Sequence, residues 1–237
     1  MKIVKRRSLF LVLLYLFNIT AFSQFQKLHE FANDGKTMFP ANYLSTDGVW
    51  LYGVASQGGS NDLGALFKVR TDGSDFTVIM DFDSVNNFSL ERSLTIYNNS
   101  IYGISRVGGT GGFGYVFKVN TDGTGFTHLV DFEQNGKAKY PRSGLIVVND
   151  FFYGVADGGP NLGVIYRLSP DGSVYDIVHH FSGDLQGGYL PRGELSYQDG
   201  YLYGLNYKGG LNNLGTIFKV KINGQIGWID QTSVEKF

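Results

Sequence analysis

Short apolar segments recur along the chain and are separated by glycine-rich polar segments. Each apolar segment is four to seven residues long, is rich in β-branched and aromatic side chains, and is bounded by turn-forming residues. This pattern predicts β-strands. The most regular segment contains a Tyr-Gly pair and appears four times, as LYGVASQGG (51–59), IYGISRVGG (101–109), FYGVADGG (152–159) and LYGLNYKGG (202–210). A period of about 50 residues indicates tandem repeats.

Three other segments repeat with the same period. One follows Tyr-Gly and starts at Gly64, Gly114, Gly163 and Gly215; the next ends at Phe82, Phe132 and Phe181; a weaker one precedes Tyr-Gly and contains Leu44, Leu94, Leu145 and Leu195. Each unit therefore has four predicted antiparallel strands in about 50 residues, the size of a β-propeller blade. We predict an all-β, β-propeller-like fold of four repeats, in which the Tyr-Gly segments pack between neighbouring blades.

Asp-Gly or Asn-Gly follows the third predicted strand of each unit. The pairs are Asp72-Gly73, Asp122-Gly123, Asp171-Gly172 and Asn223-Gly224. Because these residues accept positive φ, they predict a two-residue hairpin turn. That turn would place Leu168 opposite Tyr175, and Arg167 opposite Asp176.

The repeats are out of phase with the mature chain. The segment FQKLHEF, which ends at Phe31, matches the fourth strand of the other units, whereas the last unit has only its first three strands. We predict that this N-terminal strand pairs with the last unit and closes the ring, which would remove the exposed sheet edges. The predicted domain covers residues 24–224, and residues 225–237 form a C-terminal tail that the repeat pattern does not place.

The first 23 residues differ from the rest of the chain. Basic residues from Lys2 to Arg7 precede an apolar run from Leu9 to Phe22, and small residues flank the end of this run. A basic start, an apolar run and a small-residue cleavage site are typical of a secretory signal peptide, so we expect cleavage before Gln24. An uncleaved N-terminal anchor is the alternative, for which the run is short. We expect an exported protein that is periplasmic, on the cell surface or extracellular.

The amino-acid composition of the chain bears on whether it binds nucleic acid, membranes, metals or phosphate. The net charge is −1, which gives no reason to expect the basic face that binds nucleic acid. The mature chain has no cysteine and no segment long enough to span a membrane. His29, His128, His179 and His180 do not have the spacing of a metal site, and GGTGGFG (108–114) lacks the lysine of a phosphate loop. We predict no cofactor and no metal.

The connections that differ among the repeats are the candidates for ligand binding. The loops between the second and third strands, and those from one unit to the next, are long, and in an up-and-down blade both sets emerge at the same end. Binding residues concentrate on such loops. A comparable loop position holds side chains of unlike chemistry: Gln57, Arg106, Asp157 and Lys208.

A second set of candidates lies at the start of each first strand. Arginine recurs there as Arg92, Arg142 and Arg192, whereas the first unit has Ala41. These arginines would line the central channel and hold an anion or an acidic sugar; the alternative is a set of salt-bridged structural arginines. Tyr140 and Tyr189 add aromatic surface at the same end, which is typical of glycan binding.

The repeated unit LYGVASQGGSNDLGALFKVRTDG resembles the unit of the GloVer tandem-repeat family, also called choice-of-anchor repeat proteins. The Tyr-Gly, Gly-Gly, Gly-x-x-Phe-Lys and Asp-Gly positions match at 52–73, 102–123 and 203–224, and the third copy departs with Tyr166-Arg167 in place of Phe-Lys. The resemblance covers residues 25–224. It implies an exported repeat protein and supplies no catalytic residues.

The sequence therefore favours a non-catalytic, exported repeat protein. Its loop-rich face would bind a glycan or a cell-surface partner. The alternative is a carbohydrate-active hydrolase or lyase that uses loop carboxylates such as Glu133 and Asp157. A purely structural repeat is a third interpretation.

The signal peptide makes the first prediction. When the full chain is expressed in a bacterial host with an export pathway, the processed protein should begin at Gln24. Intact-mass measurement of the exported fraction checks this, because loss of the first 23 residues gives a defined mass change. A chain that keeps its N-terminus and sediments with membranes would instead support the anchor.

Overall fold

The computed structural model describes residues 25–32, 37–84, 93–133, 138–158, 162–183 and 188–222. These residues form antiparallel β-sheets and contain no helix. The prediction of an all-β fold is confirmed. The signal peptide and the C-terminal tail lie outside the described residues.

The strands assemble into four sheets in chain order. The first sheet contains β1 (Met38–Thr46), β2 (Trp50–Gln57), β3 (Ala65–Arg70) and β4 (Thr77–Asp81). The second contains β5 (Thr95–Tyr97), β6 (Ser100–Ser105), β7 (Tyr115–Asn120) and β8 (Thr127–Asp131). The third contains β9 (Lys139–Pro141), β10 (Ile146–Val148), β11 (Phe151–Asp157), β12 (Val164–Leu168) and β13 (Tyr175–His180). The fourth contains β14 (Tyr189–Gln198), β15 (Tyr201–Lys208) and β16 (Thr216–Lys221).

The predicted strand register is correct, but the predicted turn is not. Leu168 lies opposite Tyr175 and Arg167 lies opposite Asp176, as counted from the sequence. The connection after β3, however, is wider than two residues: the Gly73 N–H donates to the Arg70 carbonyl at 2.8 Å, and the Arg70 N–H donates to the Ser74 carbonyl at 2.9 Å. Only the glycine of Asp72-Gly73 has positive φ, whereas a two-residue turn of the predicted type requires it at both central positions.

Apolar side chains from facing sheets form the core. Three clusters of buried residues lie between the first and second, second and third, and third and fourth sheets. Tyr52, Tyr102 and Tyr153 each belong to one of these clusters and are buried. The Tyr-Gly segments therefore pack between neighbouring sheets, as predicted.

The glycine of each Tyr-Gly pair leaves space for an aromatic ring from the next strand. A Cβ on Gly103 would lie 2.3 Å from Cζ of Phe117, and one on Gly154 would lie 2.5 Å from Oη of Tyr166. The same close approach recurs at the other two copies, Gly53 with Phe67 and Gly204 with Phe218. Each glycine faces its aromatic partner in the strand register. Glycine is therefore required here by packing rather than by φ.

The Gly-Gly pair closes the long loop that follows the second strand. The Gly64 N–H donates to the Gly58 carbonyl at 2.9 Å, and equivalent bonds join Gly114 to Gly108 and Gly215 to Gly209. Side chains support the closure, since the Gly58 N–H also donates to Asp62 Oδ1 at 3.0 Å. In these three copies, the repeated phrase is thus a scaffold element in both of its glycine positions.

The N-terminal segment packs on the first sheet without forming a strand. Its Phe31 ring lies 5.2 Å from the ring of Phe67, and its His29 ring stacks on Phe76 at 3.9 Å. Among the described residues, β16 pairs only with β15, so the predicted closure of the ring by the N-terminal strand is not confirmed.

The second prediction concerns the glycine–aromatic contact. Gly103→Ala should destabilise the protein by about 1–3 kcal/mol, because the added methyl overlaps a fully buried ring. Urea unfolding measures the loss. Phe117→Leu in the same chain removes the ring edge that the methyl meets, so the double variant should lose less than the sum of the two single variants. Simple additivity would contradict the proposed contact.

Candidate functional site

The long connections lie at one end of every described sheet. Met38 at the start of β1 faces Gln57 at the end of β2, and Ala65 at the start of β3 faces Asp81 at the end of β4. The β2–β3 loop and the connections between sheets therefore emerge together, while the opposite end has tight turns such as Asn98-Asn99. We refer to this end as the loop-rich end.

A partly buried ion pair lies at the loop-rich end of the third sheet. The Arg142 side chain donates from Nε to Asp157 Oδ2 at 2.5 Å, and its Nη2 contacts the same oxygen. The two side chains are only 15% and 12% exposed. The other carboxylate oxygen, Asp157 Oδ1, is buried and has no hydrogen-bond partner among the described residues. Asp157 thus retains an unused acceptor.

Arg106 reaches from the second sheet to the third. Its guanidinium lies 5.8 Å from the ring centroid of Tyr140, and its Nε is buried without a hydrogen-bond partner in the described part of the chain. Tyr140 also packs on Phe113 of the second sheet, with ring centroids 5.4 Å apart. We refer to Arg106, Tyr140, Arg142 and Asp157 as the junction cluster, because they lie where the second and third sheets meet.

The backbone of the junction cluster is in an unusual conformation. Tyr140 has φ of +50°, and its N–H donates to the Phe113 carbonyl at 2.7 Å. A bulky residue with positive φ is strained, by about 1–3 kcal/mol, and the residue before a proline normally adopts an extended conformation. Leu190, also before a proline, repeats the arrangement with φ of +57° and a 2.7 Å bond to the Leu162 carbonyl. The inter-sheet hydrogen bond holds each strained residue in place.

A second group of candidates lies together on the fourth sheet. The Arg192 guanidinium is 4.7 Å from the ring centroid of Tyr207, and Lys208 Nζ is 5.3 Å from it. Tyr189 lies opposite Lys208 in the register, and its hydroxyl donates to Asn213 at 3.3 Å. We refer to Tyr189, Arg192, Tyr207 and Lys208 as the fourth-sheet cluster.

The remaining candidates are not brought into either cluster. Gln57 is exposed at the end of β2, and Arg92 lies outside the described residues. Arg142 and Arg192 do occupy equivalent positions, opposite Val155 and Leu205. Their contacts differ, since one is paired with a carboxylate and the other lies over a tyrosine.

The sequence of this chain matches the model of a known repeat family. The repeat model described as the Gloeobacter/Verrucomicrobia repeat matches residues 15–161, which is more than half of the chain. The chain belongs to the Gloeobacter/Verrucomicrobia repeat family. The GloVer resemblance of the repeated unit is thereby confirmed. No curated protein is significantly similar to this repeat protein in sequence.

Solved structures similar to this repeat protein support a propeller-like architecture. The crystal structure of a nidogen/laminin complex contains a chain that is 16% identical, with a TM-score of 0.53, and the match covers 77% of our chain and 60% of that chain. A putative TolB from Agrobacterium tumefaciens is 12% identical with a TM-score of 0.50, covering 76% and 60% respectively. TolB from Acinetobacter baumannii is 13% identical with a TM-score of 0.50, covering 82% and 42%. The Gloeobacter/Verrucomicrobia repeat chain thus spans about 60% or less of each of these chains, and the likeness concerns the fold alone.

Sequence reasoning missed Lys139, which lies beside the junction cluster, and Tyr207, which belongs to the fourth-sheet cluster. The side chain of Lys139 crosses Gly158, so that a Cβ there would lie 2.1 Å from Lys139 Cγ, next to the Arg142–Asp157 pair. Tyr207 was missed because the sequence comparison placed Gln57 and Lys208 at the position of Arg106 and Asp157. In the first and last units the equivalent residue comes one position earlier. Strand register makes Ser56, Arg106, Asp157 and Tyr207 equivalent.

Glu194 is a further polar residue that sequence reasoning missed. Its carboxylate accepts hydrogen bonds from Ser93 Oγ at 2.8 Å and from the Gly144 N–H at 3.3 Å, so it links the first-strand segments of three sheets. The sequence does mark Glu194, because it is the one acidic residue at its repeat position. The other units have Tyr43, Ser93 and Gly144 there.

The described residues show neither a metal-binding cluster nor a membrane-spanning helix. In the described part of this repeat protein, no group of three or more His, Asp or Glu side chains is placed to hold a metal ion. Burial lowers the pKa of His179, which therefore favours its neutral form. The described ranges also contain no helix that is long and apolar enough to cross a membrane.

The third prediction compares two Arg–Asp pairs of the third sheet. Asp157→Ala should cost about 3 kcal/mol of unfolding free energy, because it leaves the poorly exposed Arg142 charge without its partner. Asp176→Ala also leaves a poorly exposed arginine, Arg167 at 13%, but the Asp176 side chain is 44% exposed, so water can replace the carboxylate and the loss should be smaller, about 1 kcal/mol. Urea unfolding of both variants provides the comparison. Equal losses would contradict a special role for burial at Asp157.

Proposed function

We propose that this chain is a non-catalytic binding protein whose junction cluster holds an acidic glycan. The fold, the repeat family and the propeller-like neighbours support a repeat or binding protein. The choice of ligand rests on the chemistry of Arg106, Tyr140, Arg142 and Asp157 at the loop-rich end.

One observation carries the proposal. Two buried polar atoms of the cluster, Arg106 Nε and Asp157 Oδ1, have no hydrogen-bond partner among the described residues. Buried polar groups are nearly always paired, because an unpaired one costs about 1–3 kcal/mol. A ligand that accepts a hydrogen bond from Arg106 and donates one to Asp157 would satisfy both atoms. A sugar with a carboxylate and free hydroxyls has both capacities.

The charges around these atoms favour an anionic ligand. Arg142 contacts the Asp157 carboxylate, Lys139 lies opposite Asp157 in the register, and Arg106 lies over Tyr140, so three cationic side chains accompany this carboxylate. Guanidinium groups bind carboxylates with two parallel hydrogen bonds, which adds specificity as well as energy. The Tyr140 ring supplies an apolar face on which the plane of a sugar can pack. The fourth-sheet cluster repeats the combination of cations and tyrosine, so a polymeric ligand could contact both clusters.

The carboxylate geometry supports binding rather than hydrolysis. Glycosidases need two carboxyl groups across the scissile bond, one of which must carry a proton. Asp157 Oδ2 accepts hydrogen bonds from the Arg142 guanidinium, which holds the carboxylate in one position. A carboxylate held in this way suits an acceptor that orients a ligand. The hydrolase interpretation therefore remains the outcome to be excluded by experiment.

Export of the protein is part of the same proposal. The N-terminal signal pattern would deliver the chain to the periplasm, the cell surface or the medium, where acidic polysaccharides are accessible. The signal-peptide measurement described above tests this separately from ligand binding.

The fourth prediction uses polygalacturonate as the probe. Isothermal titration calorimetry should show binding to the purified mature chain, and much weaker binding to the fully methyl-esterified polymer, in which the same backbone has no charge. Arg106→Gln should weaken binding by about tenfold or more, which corresponds to about 1.4 kcal/mol. Tyr140→Ala should weaken it as well, through loss of the aromatic face.

A matched control separates the site from general charge attraction. Arg70→Gln removes one positive charge at the tight-turn end of the first sheet, where Arg70 pairs with Asp75. This variant should bind within about twofold of the parent, since rim charges far from a site contribute little. No binding, or equal losses for Arg70→Gln and Arg106→Gln, would overturn the proposal. Release of reducing ends from the polymer would instead favour the hydrolase.

A further inference from the structure

In the described part of the chain, a hydroxyl of the first strand ties one sheet to the next at two of the three boundaries. Ser45 Oγ donates to the Leu94 carbonyl at 2.5 Å, and Thr95 Oγ1 donates to the Leu145 carbonyl at 2.7 Å. The equivalent residues, each of which faces the tyrosine of a Tyr-Gly pair, are Ser45, Thr95, Ile146 and Ser196. Ile146 has no hydroxyl, so the third sheet cannot make this bond to the fourth.

Glu194 connects the fourth sheet to its predecessors from the other direction. Its Oε1 accepts hydrogen bonds from Ser93 Oγ at 2.8 Å and from the Gly144 N–H at 3.3 Å. Ser93 lies just before β5 of the second sheet, and Gly144 lies just before β10 of the third. Glu194 also directly precedes Leu195, whose carbonyl is the equivalent of the two acceptors above. We refer to this pair of hydrogen bonds as the Glu194 bridge.

The three residues of the Glu194 bridge fit one another closely. A Cβ on Gly144 would lie 2.4 Å from Ser93 Oγ and 2.8 and 2.9 Å from the two carboxylate oxygens of Glu194, closer than real Cβ atoms approach other atoms. The φ of Gly144 is not in the left-handed region, so glycine is needed here for space. The carboxylate of one sheet therefore occupies the place that a side chain of the neighbouring sheet would take.

The Glu194 carboxylate is held by neutral donors. No cation of the described residues forms a salt bridge with it, so its two hydrogen bonds are the polar contacts that fix it. Apolar packing between the third and fourth sheets supplies burial, which is non-directional, whereas a hydrogen bond constrains distance and angle. The bridge is thus the directional contact at this level of the boundary.

We propose that Glu194 is a positioning residue that replaces the missing hydroxyl bond and holds the fourth sheet against the second and third. Only Gly193 separates it from Arg192, which lies over Tyr207 in the fourth-sheet cluster. Arg192 and Arg142 occupy equivalent positions on neighbouring sheets. The Glu194 bridge therefore also holds the fourth-sheet cluster in a defined position beside the junction cluster.

The fifth prediction compares hydrogen exchange at two equivalent backbone amides. The Leu190 N–H bonds to the Leu162 carbonyl across the third and fourth sheets, and the Tyr140 N–H bonds to the Phe113 carbonyl across the second and third. Glu194→Ala should make the Leu190 amide exchange about tenfold faster, the factor expected from loss of a hydrogen bond to a charged group. The Tyr140 amide should stay within about twofold of the parent, because local openings are separate. Amide-resolved NMR measures both.

A compensating substitution tests whether the Glu194 bridge replaces the hydroxyl bond. In the Glu194→Ala chain, Ile146→Thr should slow exchange at Leu190 towards the parent rate, because threonine there can donate to the Leu195 carbonyl as Thr95 does at the preceding boundary. Ile146→Val is the matched control, since valine has the shape of threonine without its hydroxyl, and it should not restore the rate. Glu194→Gln should resemble the parent, because an amide oxygen accepts from neutral donors.

Three results would overturn this role of Glu194. The first is unchanged exchange at Leu190 in Glu194→Ala. The second is equal acceleration at Leu190 and Tyr140 with a lower urea midpoint, which would mean that Glu194 supports the whole fold rather than one boundary. The third is equal behaviour of Ile146→Thr and Ile146→Val in the Glu194→Ala chain.

Ligand binding gives a second readout, which rests on the proposed function. Polygalacturonate can contact both clusters at once, whereas monomeric galacturonate can contact only one. Glu194→Ala should weaken binding of the polymer by about tenfold but binding of the monomer by less than about twofold, because linked contacts gain only when both sites are held in place. Equal losses would refute the positioning role. If the parent binds neither probe, the proposed ligand is wrong, and the exchange measurements still decide the role of Glu194.

Discussion

An aromatic ring laid over a glycine is the side-chain contact that recurs within every sheet of this protein. The ring comes from the third strand, and the glycine lies opposite it on the second strand, where a Cβ would approach the ring to 2.3–2.5 Å. The contact leaves the ring flat against the sheet, with one edge available to the fourth strand and to the neighbouring sheet. Phe132 uses the edge of Tyr166 in this way, and Phe181 uses that of Phe218. Repetition of this one contact places an aromatic ring at the same position of each sheet.

The scaffold and the candidate binding residues are separated along the strands. Glycines and buried aromatics determine where the second strand ends and how its loop closes, through bonds such as Gly64 N–H to the Gly58 carbonyl. In each unit, one side chain directly follows the part of the second strand that pairs with the third strand. It is Ser56, Arg106, Asp157 or Tyr207, depending on the unit. Because these side chains lie outside the three apolar clusters, they can differ in chemistry while the same apolar core is kept. This separation explains why one phrase is repeated while the residues next to it are not.

Sequence periodicity could predict the strands, their order and the loop-rich end, because packing between identical units enforces the same pattern in each. It could predict the pairing of Leu168 with Tyr175, since a hairpin register depends on local counting. Periodicity could not predict that Arg142 would form an ion pair with Asp157, because pairing of β9 with β11, with a register shift, brings the two together. The position of Lys139 beside Asp157 could not be predicted for the same reason. Closure of the ring depends on curvature summed over several sheets, which no local pattern records.

The hydrogen bonds that join Tyr140 to Phe113 and Leu190 to Leu162 involve main-chain atoms only. These bonds join neighbouring sheets at the loop-rich end, and neither their donor nor their acceptor is a side-chain atom. A duplicated unit would carry this contact with it, because the contact needs no particular side chain as hydrogen-bond donor or acceptor. The same property makes the outward side chains of this end suitable positions for randomisation in a library of engineered receptors.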